Sequence, residues 1–372
     1  MTQENLSIFI VVGRLPKSLV KSKVEPIAKS KFVKKVYVFC QEKGFDIKDV
    51  NYIILPKILN SNNFFIKLLR LFYEPLQLYF YCLRYRPNLI KGIYVFPKGF
   101  NSLLVSRIYG CKCMVSNIGG LPEILTYYKS FKKLRKSFNL FIYKKADYVT
   151  TKGYSIINYF INQGLDKSKI SVYNGSIDTN FFIYDKNKNK PIDILFVGSF
   201  IRRKGPDRVV EIIKILIKKY KILNLSASFL GKGELYDDIQ QKIIDEGLGK
   251  NIQLHNHVDH TANYFAKSKV LIMPSISEGL STAMLEAMSS GCVPVVSDVG
   301  EMTKAAFDNI NSFVVREYDD LLSFADKVNT LLSDNVKRNK MAEAARNNVV
   351  AEYSIETQMK QFDLLLKKIF NK

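Results

Sequence analysis

Met273-Pro274-Ser-Ile-Ser-Glu278-Gly279-Leu280-Ser281-Thr-Ala-Met-Leu-Glu286-Ala-Met288 is the stretch on which the fold turns. The apolar run Val270–Met273 ends at Pro274, which cannot donate to a sheet ladder. Gly279 opens a turn, and helical spacing begins near Leu280. Glu278 stands before that helix, and Glu286 lies about two turns inside it. A helix start offers unpaired N–H groups and the positive end of a dipole. Two carboxylates therefore flank an anion-binding helix end, and a carboxylate accepts well from vicinal sugar hydroxyls. Read alone, Glu278 is equally a capping acid and Glu286 a surface residue.

The same strand–turn–helix grammar repeats upstream. Val197-Gly198-Ser199-Phe-Ile-Arg202-Arg203-Lys204-Gly205 brings a strand into a glycine turn, then cations, then a helix at Pro206. Cations beside a helix N-terminus suit a diphosphate, although a solvated basic loop reads the same way. Phe229-Leu230-Gly231-Lys232-Gly233 is a second strand entering a glycine turn, where backbone can approach a ligand. Downstream, Asp298-Val-Gly300-Glu301 and Asn309-Ile-Asn311-Ser312 form turns expected at the carboxyl ends of strands, where open α/β sheets bind ligands.

Strand-like runs continue along the whole chain: 8–12, 35–39, 52–55, 89–95, 113–116 and 148–150, then 193–197, 226–230, 253–255, 270–273 and 293–297. Helix-length segments separate them. That alternation predicts parallel sheets covered on both faces, and two such series predict two doubly wound α/β domains. Asn174-Gly175 is a turn signal, and the polar run from Tyr184 to Pro191 reads as a linker. Residues 319–372 are expected to be helical throughout, with Leu321, Phe324, Val328 and Leu331 at helical spacing.

The 372 residues carry 56 Lys and Arg against 34 Asp and Glu. Residues 1–190 hold 32 of the bases and 11 of the acids, an excess of 21; residues 191–372 hold 24 and 23. A uniformly basic protein is excluded, and the basic half should face something acidic. Five cysteines without a framework (Cys40, Cys82, Cys111, Cys113 and Cys292) favour a reducing compartment. Cys111 and Cys113 lack a second pair to complete a zinc site. His255, His257 and His260 cluster, which invites a metal reading against that of an ordinary loop. The run from Leu6 to Gly13 follows Glu4 rather than a basic segment and reads as a buried strand, not a secretory signal. No run approaches the roughly 20 apolar residues of a membrane span.

In order and spacing, the motifs from 193 to 350 resemble the C-terminal domain of the retaining GT-B glycosyltransferases of family 4 (glycosyl transferases group 1). That family has a glycine loop with Lys, a Gly-x-Gly turn, and two glutamates separated by seven residues, which Glu278 and Glu286 match. The likeness extends weakly back through 146–150 and 170–178. It implies a GT-B fold, two doubly wound Rossmann-like domains facing each other across a cleft, with a C-terminal helix crossing back. The implied division is 1–184, an acceptor-binding domain; 185–350, a nucleotide-sugar-binding domain; and 351–372, a helix packing on the first domain.

The resemblance also implies roles. Lys204, with Arg203 beside it, would hold the donor diphosphate, and Glu278 would contact the transferred sugar. Gly279, Leu280 and Ser281 would bind sugar or distal phosphate through N–H groups. Glu286 would bind the ribose hydroxyls, and Gly198, Ser199, Gly231 and Gly233 would line the nucleotide. No cofactor and no metal are implied, since cations and a helix end can stabilise a departing diphosphate. Two departures stand out. Ser199 occupies a place where Arg is frequent. No His precedes His255, so Asn117, or the backbone of Gly119 and Gly120, stands where the family often has a sugar-side His. Gly13 is the remaining candidate on that side.

The basic half then falls to the acceptor. In 129–138, Phe131, Leu134 and Phe138 share a helical face among Lys132, Lys133, Arg135 and Lys136, the pattern of a helix on an anionic membrane. The aromatic and basic segment 64–86 is expected to bury most of its apolar face in the core. The expected activity is transfer of a sugar from a nucleotide-diphosphate sugar to a lipid-linked or saccharide acceptor in capsule, lipopolysaccharide or other surface-polysaccharide assembly. The enzyme is expected in the cytoplasm, peripheral on the inner face of the membrane, with no nucleic-acid partner. A sugar-nucleotide epimerase-like GT-B protein and a non-catalytic basic binding protein are the alternatives.

Overall fold

A computed structural model describes residues 5–13, 17–60, 63–125, 132–256, 258 and 260–370. The chain forms two compact units, Met1–Ser176 with Ile355–Lys372, and Ile177–Ser354.

The first unit runs β1 (Leu6–Val11), α1 (Lys17–Ala28), β2 (Val33–Cys40), β3 (Val50–Ile54), α2 (Phe64–Tyr85), β4 (Leu89–Ile93), α3 (Phe100–Tyr109), β5 (Lys112–Asn117), α4 (Leu121–Leu125), α5 (Lys132–Lys145), β6 (Tyr148–Thr151), α6 (Ser155–Asn162) and β7 (Ile170–Val172). The seven strands are parallel in the order β3-β2-β1-β4-β5-β6-β7. β1 shows why this sequence makes such a sheet. Ile8 and Ile10 enter one core and Phe9 and Val11 another, so both faces are covered and positions 8–11 are all apolar.

The second unit runs β8 (Ile192–Val197), α7 (Pro206–Tyr220), β9 (Ala227–Leu230), α8 (Tyr236–Asp245), β10 (Ile252–His255), α9 (Thr261–Lys267), β11 (Ser268–Met273), α10 (Thr282–Ser289), β12 (Val293–Ser297), β13 (Phe313–Val315), α11 (Leu321–Ser333) and α12 (Asn335–Tyr353). Its strands are parallel in the order β10-β9-β8-β11-β12-β13. Chain order reverses between β8 and β11, and that switch point is where a doubly wound sheet leaves a crevice beyond its carboxyl ends.

Several expectations change. The units divide at Ser176 and Ile177 rather than at 184, because the Ile177 N–H donates to Tyr353 O at 2.8 Å and Phe182 enters the second unit's core. The polar run 184–191 is likewise tied to that unit, with Lys190 Nζ donating to the carbonyls of Ser268 (2.9 Å) and Gly291 (3.0 Å). Residues 321–370 form three helices rather than one continuous helical stretch. Asp334 ends α11 and caps α12, its carboxylate accepting from Lys337 N at 2.9 Å. After Ser354 the chain enters α13 (Ile355–Phe370), whose Phe362, Leu365, Leu366 and Ile369 complete the first unit's core beside α1. The turn 309–312 precedes β13, so it lies at the amino end of that strand and not at the ligand end. There the Asn311 side chain accepts from Phe307 N and donates to Ala305 O, a structural clasp.

Helix α2 also departs from expectation. Glu74, Leu78 and Cys82 are buried, but Phe65 is 76% and Phe72 71% exposed. Only one of its two apolar faces is core.

Candidate active site

The motifs expected to bind the donor all sit in the second unit, on loops leaving the carboxyl ends of β8, β9, β11 and β12. Lys204, on the loop after β8, donates to a Glu278 carboxylate oxygen on the loop after β11. Arg203 donates to Ser277 O at 2.6 Å and stands 3.6 Å from the other Glu278 oxygen. Ser275 Oγ donates to Glu278 Oε1 at 2.9 Å. The Glu278 and Lys204 side chains are 7% and 16% exposed, whereas Arg203 is 45% exposed. A buried carboxylate is thus held by one sheltered cation and flanked by an accessible one. The pair spans the β8–β11 switch point.

Two features brace this junction. The Ile276 N–H donates to Arg203 O at 2.9 Å, joining the two loops through backbone. Arg208, in the first turn of α7, donates from Nε to Pro274 O at 2.8 Å and from Nη2 to Arg202 O at 3.1 Å. It clamps the exit of β11 to the β8 loop. Arg208 carries no motif signal, and its place was legible only as a base in a helix's first turn, where the dipole disfavours one.

The glycines have specific tasks. Gly231 sits at φ +147°, and a Cβ there would come 1.9 Å from Gly198 O. A Cβ on Gly233 would come 2.5 Å from Phe200 O. The close approach that these two residues allow is therefore to the β8 loop, which they meet through Gly198 N to Leu230 O and Phe200 N to Lys232 O. Ser199 lies in this same turn, between the two rungs. Gly300 packs its α-carbon against Glu278 O in the same manner, so the β12 loop backs the carboxylate's own backbone.

The helix end is open. Ser281 caps α10, its hydroxyl accepting from Met284 N at 3.4 Å, and Leu280 is buried. Nothing lies within 4 Å of a Cβ placed on Gly279. Among the described residues the N–H groups of Gly279, Leu280 and Ser281 meet no acceptor. Glu286 lies on α10 with no cation or donor partner among the described residues, and burial pushes its carboxyl up to about 8. His255 ends β10; its Nδ1 lies 3.4 Å from Tyr264 Oη, its Nε2 is buried without a partner, and burial lowers its pKa. His257 lies outside the described residues. No group of three or more potential metal ligands occurs among those described.

In the first unit, Gly13 follows β1 and Asn117 ends β5. The Asn117 amide donates to Gly120 O and meets Tyr143 Oη, both at 3.1 Å, so that group is committed to holding its own loop. The centre of this region is Glu123, which sequence reading passed over. Its carboxylate accepts from Val95 N (2.7 Å), Ile118 N and Gly119 N (2.8 Å each) and Tyr143 Oη (2.8 Å). Glu123 thereby fixes the carboxyl ends of β4 and β5, including the Gly119–Gly120 turn. On α5, Lys133 is exposed, Arg135 and Lys136 are half-buried, and Lys136 lies over the Tyr159 ring. Phe131, which the expected stripe included, and the Lys132 side chain are outside the described residues.

Solved structures share this architecture. A glycosyltransferase from Rickettsia africae superposes with a TM-score of 0.73 over 99% of both chains at 18% identity. Anabaena HepE in complex with UDP gives 0.75 over 97% of this chain and 99% of that one at 13% identity. The fold is GT-B. Within this GT-B chain, residues 176–348 match the family model described as glycosyl transferases group 1. The UDP-Gal:alpha-D-GlcNAc-diphosphoundecaprenol alpha-1,3-galactosyltransferase of Escherichia coli is 26% identical over 288 residues, 74% of each chain. The lipopolysaccharide core biosynthesis glycosyltransferase LpsE of Rhizobium meliloti is 23% identical, over 65% of this chain and 66% of its own length. The glycine-loop and glutamate motifs quoted from the second half of the sequence fall inside the matched span.

Proposed function

We propose that this chain is a retaining glycosyltransferase of family 4. It would move a sugar from a nucleotide-diphosphate sugar to a lipid-linked or saccharide acceptor in surface-polysaccharide assembly. The observation that carries the reading is the Lys204–Glu278 pair at the β8–β11 switch point, beside a helix end whose N–H groups meet no acceptor among the described residues.

The chemistry follows from charge. Breaking the bond between the sugar and the diphosphate leaves negative charge on the departing oxygen. Lys204, the exposed Arg203 and the α10 N-terminus supply positive potential there, so the step calls on side chains and backbone rather than on a metal ion. Glu278, held by Lys204 and Ser275, faces the sugar. Glu286 takes the ribose hydroxyls. The incoming acceptor hydroxyl attacks from the side the leaving group departs, which preserves configuration, and passes its proton to the departing diphosphate oxygen. Support for the acceptor class comes from the Escherichia coli relative, whose name specifies a diphosphoundecaprenol substrate. The first unit would present the acceptor, and its positive excess would place the enzyme against the inner face of an anionic membrane. No helix among the described residues is long and apolar enough to cross one.

A thermal-shift panel of UDP-, GDP-, ADP- and CMP-sugars tests the donor half of the reading. One of the three diphosphate donors should raise the melting temperature and be turned over to nucleoside diphosphate when acceptor lipid is added. Stabilisation without turnover would leave a binding protein, and no stabilisation by any donor would overturn the assignment.

A further inference from the structure

Helix α2 is apolar on opposite sides. Its inner side packs Leu78 and Cys82 into the core with Phe9 and Phe39, and stacks Tyr85 on Tyr37 at 4.4 Å between ring centroids. Its outer side presents Phe65 (76% exposed), Leu69 (58%), Phe72 (71%), Leu76 (55%), Phe80 (59%) and Leu83 (50%). At 3.6 residues per turn these six fall in a strip roughly 80° wide running the length of a helix about 33 Å long. A helix apolar all round is ordinarily covered all round. A continuous apolar strip of this kind exceeds what monomeric surfaces usually leave to water.

Charge identifies what covers it. Between residues 50 and 110 the sequence holds eight bases and one acid, Glu74. That acid is buried, 2.6 Å from Lys98 Nζ. Lys57 and Lys67 are exposed near one end of the strip, and Arg84 and Arg86 near the other. An apolar strip between cations, with no exposed acid, is complementary to an anionic lipid surface. A second copy of the same face would set cation against cation across a two-fold axis.

We propose that α2 is the element that seats this chain on anionic lipid, lying flat with its outer strip at the boundary between headgroups and acyl chains. The proposal deepens the membrane reading above by naming the contact, and it displaces α5 as the principal one. Lys67 and Arg84 meet lipid phosphates, and the six apolar side chains supply the buried area.

The chain contains no tryptophan, so Phe72→Trp creates a single fluorescent reporter. The full-length variant should shift to the blue and be quenched by brominated acyl chains on vesicles containing phosphatidylglycerol. It should do so far less on phosphatidylcholine alone or in about 0.5 M salt. In co-sedimentation, Leu69→Ser with Leu76→Ser should weaken binding about tenfold or more, and Lys67→Glu with Arg84→Glu likewise. Lys133→Glu on α5 should change it little. Unchanged melting temperature and donor binding show that these surface variants fold. If the wild-type chain binds anionic vesicles and the α2 variants bind equally well, the proposal falls while the membrane reading stands. If the wild-type chain binds no vesicles, both fall and the donor assignment is untouched. A dimer that the α2 variants abolish, without lipid binding, would show that a second copy covers the strip.

Discussion

At the residue scale, the Lys204–Glu278 pair separates binding from folding. Lys204→Ala or Glu278→Gln should lower turnover about 10²–10³-fold, the usual loss when one electrostatic stabiliser of a transition state is removed. Lys204→Ala should also cost stability, since it leaves a sheltered carboxylate with fewer partners. Combining the two changes should recover the melting temperature but not the rate, which a merely structural pair would not show. Glu286 yields a pH signature. Its carboxyl is held up to about 8 without ligand, and ribose hydroxyls would bind its ionised form. Nucleoside diphosphate affinity should therefore rise with pH up to about 8, by at most about tenfold per unit. Titration of Glu286→Gln should show no such slope. Lys91, buried on β4 with its ammonium 4.4 Å from the Tyr173 ring centre and 5.5 Å from that of Phe362, is depressed to about 7 by burial. The unfolded chain then binds more protons between about 7 and the ordinary lysine value, so stability rises with pH through that window. Lys91→Met should raise the melting temperature at neutral pH and remove the rise. Glu278, Glu286 and Lys204 were legible because each sits in a spaced motif. Glu123, Arg208 and Lys91 were not, because a lone charge in a helix or strand gives no sign of what will enclose it.

At the element scale, the glycine turns hold the site together. Gly231→Ala would push a methyl into Gly198 O from an unfavourable φ. It should destabilise the second unit by about 1–3 kcal/mol, visible in denaturant titration, and weaken donor binding alongside. Eleven of the strands were readable in the sequence, most plainly those whose burial on both faces leaves a continuous apolar signal, such as β11 and β12. β7 and β13 were not, being three-residue strands at the sheet edges. The second apolar face of α2 was misread for a related reason: periodicity reveals that a side is apolar, not what it meets. The Asn309–Ser312 turn was recognised as a turn but put at the wrong end of its strand, because β13 itself was missed.

At the scale of the whole molecule, each unit has its own hydrophobic cores, and they are assembled differently. The second is continuous from Ile177 to Ser354. The first needs α13, which brings Phe362, Leu365, Leu366 and Ile369 against α1 and also supplies Asp363 to Ser30 Oγ. A chain ended after Ser354 should lose the cooperative unfolding transition of the first unit. The second should still melt on its own and bind the nucleoside diphosphate; calorimetry with and without ligand reads both. Sequence placed both series of strands, and the family resemblance implied a C-terminal helix packing on the first unit, while the contacts that seat α13 beside α1 join residues more than 300 positions apart. That separation orders events during synthesis. Although most of the first unit leaves the ribosome before the second, its core cannot close until α13 emerges. At about 5–20 residues per second that is a wait of many seconds. The second unit matures first, and the basic, apolar-faced half spends the interval with one face of its sheet incompletely covered and in need of protection.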